Sequence, residues 1–181
     1  ASYLVAERKF EAAFNYIDTA LQIDPFHLIN FHVKGFIHYY KEDYEKAISF
    51  FDKAIEMNPS FVPSILYKGQ ALILANQAQK ALNLFTNQFS EKGEDFLKLG
   101  CTTLAHAALI NTQKTEEGIA QLEKAMASDL ADRALISLIL CQALCKREEE
   151  TMLLIEKGFS IRLSLLIYLF SNPILKFLRH L

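Results

Sequence analysis

The hydrophobic pattern of this chain is that of paired amphipathic helices. In the most regular stretch, apolar positions recur at helical spacing from 27 to 40 and again from 44 to 57. The polar residues between them predict a tight turn, with Asp43 as the N-cap of the second helix. Asn58 and Pro59 predict the end of that helix, because a residue that precedes proline disfavours the helical conformation. Together these residues predict one helical hairpin.

Small and aromatic residues repeat along the chain with a period of 34 residues. Small side chains let two helices approach closely, and an aromatic ring fills the space beside them. A glycine inside a helix costs about 1 kcal/mol relative to alanine, so two glycines one period apart indicate a close helix contact. The positions that keep this period are Ala13, Ala47 and Ala81; Ile17, Phe51 and Phe85; Ala20 and Ala54; Pro25 and Pro59; Gly35 and Gly69.

A 34-residue unit of two antiparallel helices with this order of small, aromatic and proline positions resembles the tetratricopeptide repeat. The resemblance implies an all-α, right-handed superhelix of about four and a half helical hairpins with a helical cap. We predict an array over residues 1–160. Its units would span about 1–26 (partial), 27–60, 61–93, 94–129 and 130–160, and capping helices would cover 161–181.

The later units depart from the period. The next small residue after Ala81 that fits the pattern is Gly118, 37 residues further on. This step predicts a lengthened first helix from about 94 to 111 and a second helix capped by Thr115. A step of 33 residues would then relate Gly118 to Thr151.

Both ends of the array are irregular. Few residues precede the first predicted turn, so we expect the apolar face of residues 10–17 to lack part of its partner and the chain to belong to a longer protein. Near the other end, the apolar run 165–169 is followed by Asn172, Pro173 and a short amphipathic stretch. This layout resembles the last repeat of tetratricopeptide arrays in bacterial signalling proteins, such as transcription regulators.

Composition narrows the classes of function. A formal net charge of -2 argues against non-specific nucleic-acid binding, which depends on lysine and arginine neutralising phosphates. The three cysteines, Cys101, Cys141 and Cys145, have neither the even count of a disulfide framework nor the spacing of a zinc site. We interpret them as buried, reduced thiols, which fits a reducing compartment such as the cytoplasm.

No segment predicts a membrane span or a secretory signal. The apolar runs 134–145 and 163–170 are shorter than the about 20 apolar residues that a spanning helix needs, so we predict buried helices of a soluble protein. Motifs for catalysis, nucleotide binding and metal binding are also absent from the sequence, and the histidines are scattered. We therefore predict no enzymatic activity, no cofactor and no metal.

In tetratricopeptide arrays the first helix of each unit lines a concave groove. By this resemblance, the partner-binding groove would be lined by Ile29, His32, Phe36, Tyr39 and Tyr40, then by Leu66, Gln70, Ile73 and Leu74, and finally by Arg133, Ile136 and Leu140. Between the last two groups the equivalents would be Thr103, Ala107, Ile110 and Asn111.

The side chains at these positions indicate the type of partner. Some family members hold the C-terminal carboxylate of chaperone tails with lysine, asparagine and arginine, which are missing here. Phe36, Tyr39 and Tyr40 instead predict an apolar groove suited to a hydrophobic peptide or an amphipathic helix. On this hypothesis, Phe36→Ala or Tyr40→Ala would weaken binding with only a modest loss of stability. Alternatively, the rings pack against the next repeat or against the folded-back tail.

We therefore predict a protein–protein interaction scaffold that binds a peptide or helix in an apolar concave groove. Two other functions stay open at this stage. One is a regulatory or dimerisation segment of a larger bacterial signalling or transcription-regulatory protein, which makes a homodimer the alternative partner. The other is a chaperone for secreted proteins. Neither a nucleic acid nor a membrane is an expected partner.

Overall fold

The computed structural model describes residues 2–89, 95–126, 131–160 and 171–180, and these residues are helical apart from short connections. Among them, ten α-helices are followed by a short 3₁₀ helix, Pro173–His180, which we call the tail helix. The α-helices are α1 (Ser2–Ala6), α2 (Phe10–Ile23), α3 (Leu28–Tyr40), α4 (Tyr44–Met57), α5 (Val62–Leu74), α6 (Ala78–Gln88), α7 (Asp95–Ala108), α8 (Thr112–Ala125), α9 (Ala131–Leu144) and α10 (Glu148–Ser160).

Each helix packs against the next one in the chain, from α1 to α10. The odd-numbered helices also contact one another in order, α1 with α3, α3 with α5, α5 with α7 and α7 with α9. These contacts place the odd-numbered helices side by side along one surface, which we call the inner surface. The all-α stack of consecutive hairpins predicted from the sequence is therefore confirmed.

The turn inside each hairpin has the same hydrogen-bonded structure. In the turn between α3 and α4, Glu42 has a positive φ of 67°, its N–H donates to the carbonyl of Tyr39, and the N–H of Asp43 donates to the carbonyl of His38. This pair of bonds is a Schellman motif, which satisfies the last carbonyl groups of a helix. The same positive-φ position is occupied by Arg8, Glu42, Asn76, Ile110 and Lys146.

These turns correct the predicted register of the later units. From Arg8 to Ile110 the positive-φ residues remain 34 positions apart, and the step to Lys146 is 36. The period does not slip to 37 within the third hairpin, so the equivalent of Ala81 is Thr115 and not Gly118. The first helix is not lengthened, since α7 ends at Ala108. The two added residues fall between Ile110 and Lys146.

One of the two predicted helix caps is wrong and the other is confirmed. Asn111, not Thr115, caps α8, and its side chain accepts a hydrogen bond from the N–H of Lys114. Thr115 lies inside α8 and donates to the carbonyl of Asn111 at 2.7 Å. Asp43 is the N-cap residue of α4, as predicted, and its carboxylate lies 2.9 Å from Lys46 Nζ.

The close helix contacts explain why the sequence of the third hairpin led to the wrong register. In α5, a Cβ on Gly69 would collide with the ring of Phe85, which comes from the second helix of the same hairpin. In the third hairpin the small residue has changed sides: Gly118 lies on the second helix and receives the side chain of Thr103 from the first. Thr103 is one period after Gly69, so the geometry is kept while the glycine moves.

The buried apolar side chains form two clusters along the stack. The first cluster is rich in aromatic rings and joins Val5 of α1 to Ile17, Tyr39 and Phe51. Val5 thus covers part of the apolar face of α2, residues 10–17, which was expected from the sequence to lack part of its partner. The second cluster is mostly aliphatic, runs from α5 to α10, and includes Ile174 and Leu175 of the tail helix.

The tail helix packs against α9. Ser171, just before the tail helix, and Lys176, within it, both contact the first half of the stack. The Ser171 hydroxyl donates to the carbonyl of Ala6 at 3.2 Å, and Lys176 Nζ is 2.7 Å from Glu42 Oε2. The capping role predicted for 161–181 stays a prediction, because residues 161–170 lie outside the described residues. The part that is described lies against the inner surface.

Candidate functional site

Two rows of structurally equivalent positions run across the inner surface. With the turns aligned, one row contains His32, Leu66, Gly100 and Ile136, and the other contains Phe36, Gln70, Leu104 and Leu140. The steps along each row are 34, 34 and 36 residues, as in the turns. Both rows start with an aromatic ring on α3, His32 or Phe36. The positions on α5, α7 and α9 are aliphatic or glycine, except for the amide of Gln70.

An open cavity of about 450 Å³ lies over the aliphatic part of these rows. Its walls come from α5, α7 and α9, and none of the described residues lining it carries a formal charge. Gly100 and the small side chain of Ser137 adjoin in the wall between α7 and α9. The lining residues are Val62, Leu66, Gln70, Leu97, Gly100, Cys101, Leu104, Ile136, Ser137 and Leu140.

The aromatic part of the inner surface is closed. The rings that define this aromatic half are Phe36, Tyr39, Tyr40 and Tyr67; Tyr39 and Tyr40 have 0% and 1% of their surface exposed, and Phe36 has 8%. Phe36 meets Tyr67 edge-to-face with ring centroids 5.0 Å apart, and Tyr39 meets Tyr67 in the same way at 5.4 Å. These rings therefore pack with one another, and the modest cost that the sequence led us to expect for Phe36→Ala and Tyr40→Ala does not follow.

His32 sits at the edge of this aromatic half. Its ring lies 5.3 Å from that of Phe61 and 5.7 Å from that of Phe51, measured between centroids. Its Nδ1 is 3.0 Å from the Ser64 hydroxyl oxygen. Burial among these rings lowers the pKa of His32 to about 4, because the charged imidazolium would lose its hydration. The side chain is therefore neutral at pH 7.

A buried polar contact joins the aromatic half, the cavity and the tail. The Tyr39 hydroxyl lies 2.9 Å from both Gln70 Oε1 and Asn172 Oδ1. The amide nitrogen of Asn172 is 3.3 Å from Gln70 Oε1 and donates to it. Gln70 also lines the cavity. The tail therefore occupies the inner surface directly beside the open space.

The structure brings only part of the predicted groove together at the cavity. Leu66, Gln70, Ile136 and Leu140 line it. His32, Phe36, Tyr39 and Tyr40 lie in or beside the aromatic half, and Ile29 is exposed. Ile73 and Leu74 pack in the core, and Arg133 belongs to α9 although its side chain is outside the described residues.

The residues of α7 that line the cavity were not predicted from the sequence, because the predicted register of the third hairpin was wrong. The equivalents proposed there were Thr103, Ala107 and Ile110, each three residues beyond the correct position. Ile110 is a turn residue with 86% of its surface exposed. Continuing the 34-residue step from Leu66 and Gln70 would have found Gly100 and Leu104.

The chemistry of the cavity is that of apolar contact. Cys101 is the titratable group among its described lining residues, and burial raises the pKa of its thiol, so the group is neutral at pH 7. In the described ranges, histidine, cysteine and acidic side chains do not gather in a group of three that could hold a metal ion. No helix described here combines the length and apolar character that crossing a bilayer requires.

Comparisons with known proteins place the fold. Residues 40–125, slightly less than half of the chain, match the family model of anaphase-promoting complex (cyclosome) subunit 3. The crystal structure of YrrB, described as a TPR protein with an unusual peptide-binding site, superposes with a TM-score of 0.53 over 94% of this chain and 87% of that chain, at 19% sequence identity. No curated protein sequence is significantly similar to this chain. Such a distant likeness shows the fold alone.

Proposed function

We propose that this chain, which has the tetratricopeptide-repeat fold, is a protein–protein interaction scaffold that binds an apolar segment of another protein in the cavity of its inner surface. The observation that carries the proposal is the cavity formed by α5, α7 and α9. Its volume of about 450 Å³ falls in the range of roughly 300–1,000 Å³ that is typical of ligand pockets. YrrB, with the same fold, has a peptide-binding site according to its description.

The lining defines the chemistry of the partner segment. The described walls are mostly aliphatic and uncharged, so burying a charge there would cost its hydration without an opposite charge in return. Gln70 and Ser137 are the polar side chains available to orient a peptide. The partner is therefore a helix or extended segment with two or more apolar anchors and no charged residue between them.

The expected affinity is moderate. Apolar burial stabilises a complex by roughly 25 cal/mol for each Å² removed from water. Loss of translational and rotational freedom opposes association by about 4–15 kcal/mol, which leaves a dissociation constant on the order of micromolar for a short peptide.

The test is a selection of peptides from a displayed library on the full chain, followed by measurement of their affinities by fluorescence anisotropy. Ile136→Glu places a carboxylate in the cavity wall and should abolish binding of the selected peptides. Leu153→Glu is the matched control, because Leu153 is an exposed residue of α10. Val62→Phe, which narrows the cavity without adding charge, should also reduce binding and guards against misfolding of the glutamate variant.

Two outcomes would contradict the proposal. One is a selection that yields no binding peptides from a folded chain. The other is a set of peptides that bind Ile136→Glu and Val62→Phe as tightly as the unmodified chain, which would place their site elsewhere.

A further inference from the structure

The segment 171–177, which we call the tail segment, makes contacts that resemble those of a bound peptide. It reaches α1 through Ser171 and Ala6, and it reaches the turn after α3 through Lys176 and Glu42. Its second residue, Asn172, contacts both α3 and α5. These contacts join parts of the chain more than 100 residues apart in sequence, so the hairpin repeat itself does not require them.

Asn172 is the polar anchor of the tail segment. Only 4% of its surface is exposed, and its side-chain amide meets the Tyr39 hydroxyl and Gln70 Oε1. A buried amide that loses its hydrogen-bond partners is destabilised, so these two side chains select for an amide at this position. An aliphatic residue here would leave the Tyr39 hydroxyl and Gln70 without the tail's amide.

The residues that follow Asn172 form a short helix that holds its side chain in position for this contact. Asn172 Oδ1 accepts a hydrogen bond from the N–H of Ile174 at 2.9 Å, as an N-cap residue does. Pro173 occupies the first position of the tail helix, where its fixed φ suits the helical conformation. Ile174 and Leu175 then enter the aliphatic cluster, and Leu175 is fully buried. The recognised order is thus an amide, followed two and three residues later by an aliphatic pair.

The tail segment and the cavity share a residue. Gln70 contacts Asn172 on one side and lines the cavity on the other. A partner segment that extends from the cavity across Gln70 must therefore take the place of Asn172.

We propose that the tail segment is an intramolecular ligand of the inner surface, and that a partner segment with the same order of side chains, an amide followed by an aliphatic pair, displaces it. This inference rests on the proposed function of the cavity. The tail is tethered, so its effective concentration at the site is on the order of millimolar, and it competes with any micromolar partner. Release of the tail then controls access to the binding surface.

Hydrogen exchange monitored by mass spectrometry tests the intramolecular contact in the full chain. Asn172→Ala removes the anchor, and Tyr39→Phe removes the hydroxyl while keeping the buried ring. Each change should raise the exchange rates of the amides in residues 174–177 at least tenfold. Leu153→Ala is the control: Leu153 is an exposed residue of α10, so its truncation should change the rates less than twofold.

Peptide binding tests the recognition rule. The probe is a fluorescent peptide with the sequence of residues 171–177, blocked at both ends. The Asn172→Ala chain, whose site is vacated, should bind this probe at least tenfold more tightly than the unmodified chain does. The Tyr39→Phe chain should gain no such affinity, because it lacks the hydroxyl that recognises the amide. A probe with alanine in place of asparagine should bind the Asn172→Ala chain at least tenfold more weakly.

Failure of this inference can be told from failure of the proposed function. Unchanged exchange rates in Asn172→Ala and Tyr39→Phe, or equal probe affinities for the Asn172→Ala and unmodified chains, would overturn the inference while leaving the Ile136→Glu result intact. Light scattering that showed a dimer at every concentration, with tails exchanged between copies, would also overturn it. If the library selection yielded no peptide that binds the cavity, while the exchange and probe measurements gave the expected results for the tail, the proposed function alone would be overturned.

Discussion

The two halves of the inner surface have the same helical framework but opposite states of packing. At equivalent positions, the aromatic half has Phe36, which is packed against Tyr67, whereas the aliphatic half has Leu104 in the wall of an open cavity. The tail segment meets the surface where the two halves join, at Gln70. A repeat fixes the positions of side chains but not their volume, so one framework supplies both a closed region and an open one.

The largest expected effect comes from truncating the two equivalent residues. Phe36→Ala should lower the free energy of unfolding by about 3–5 kcal/mol, because the cavity it leaves is surrounded by packed rings. Leu104 is also buried, with 4% of its surface exposed, but it adjoins the cavity, so Leu104→Ala should cost less, about 2 kcal/mol. Urea unfolding followed by circular dichroism measures both values. Equal losses would show that the two halves are packed alike.

Acid should weaken the packing around His32 at the edge of the aromatic half. The pKa of His32 is about 4 in the folded chain and about 6.5 when unfolded, so the neutral side chain contributes stability above pH 6.5 that is lost as the pH falls towards 4. The difference corresponds to roughly 3 kcal/mol as an upper bound. The equivalent residues Leu66, Gly100 and Ile136 do not titrate.

The measurement is urea unfolding at pH 7 and at pH 4.5 for the unmodified chain and for His32→Gln. The unmodified chain should lose more stability between the two pH values than the variant does. Hydrogen exchange at pH 4.5 should show protection lost in α3 before α9. An identical pH dependence for both chains would show that His32 is not the source of the loss of stability in acid.

Adding volume should also cost more stability in the packed first part of the stack than at the cavity. Ala47→Leu enlarges a fully buried residue at the contact with Gly35 and should cost about 1–3 kcal/mol. Val62→Phe adds a ring at the rim of the cavity, where space exists, and should change stability by less than about 0.5 kcal/mol. Thermal melts of the two variants test this difference. A larger loss for Val62→Phe would mean that the cavity is not available to a guest side chain.

The smallest expected effect concerns equivalent turns in the two halves. Ile110 is a β-branched residue at a positive φ of 57°, a conformation that costs non-glycine residues about 1–2 kcal/mol. Ile110→Gly should therefore stabilise the chain by about 0.5–1 kcal/mol after the added flexibility of the unfolded state is subtracted. Glu42→Gly should gain less, since it also removes the ion pair with Lys176. Differential scanning calorimetry of both variants checks the order, and a loss of stability in Ile110→Gly would contradict it.

The helical hairpins and most of their register follow from the amino-acid sequence alone. The bounds predicted for the second helix of the clearest unit, 44–57, are those of α4. The close contacts predicted at Gly35 and Gly69 are confirmed, because a side chain there would strike Phe51 and Phe85. Such features depend on local propensity and on contacts between neighbouring helices, which leave a periodic trace in the sequence.

The positions that form the open site depend instead on long-range contacts in the folded chain. The small residue of the third hairpin moved to the partner helix, and the exchange between Thr103 and Gly118 keeps the packing while breaking the sequence pattern. The contact of Tyr39 with Asn172 joins residues 133 positions apart, which no local pattern can indicate. Whether a part of the inner surface is buried or borders a cavity depends on which side chains, near or distant in sequence, the fold places against it.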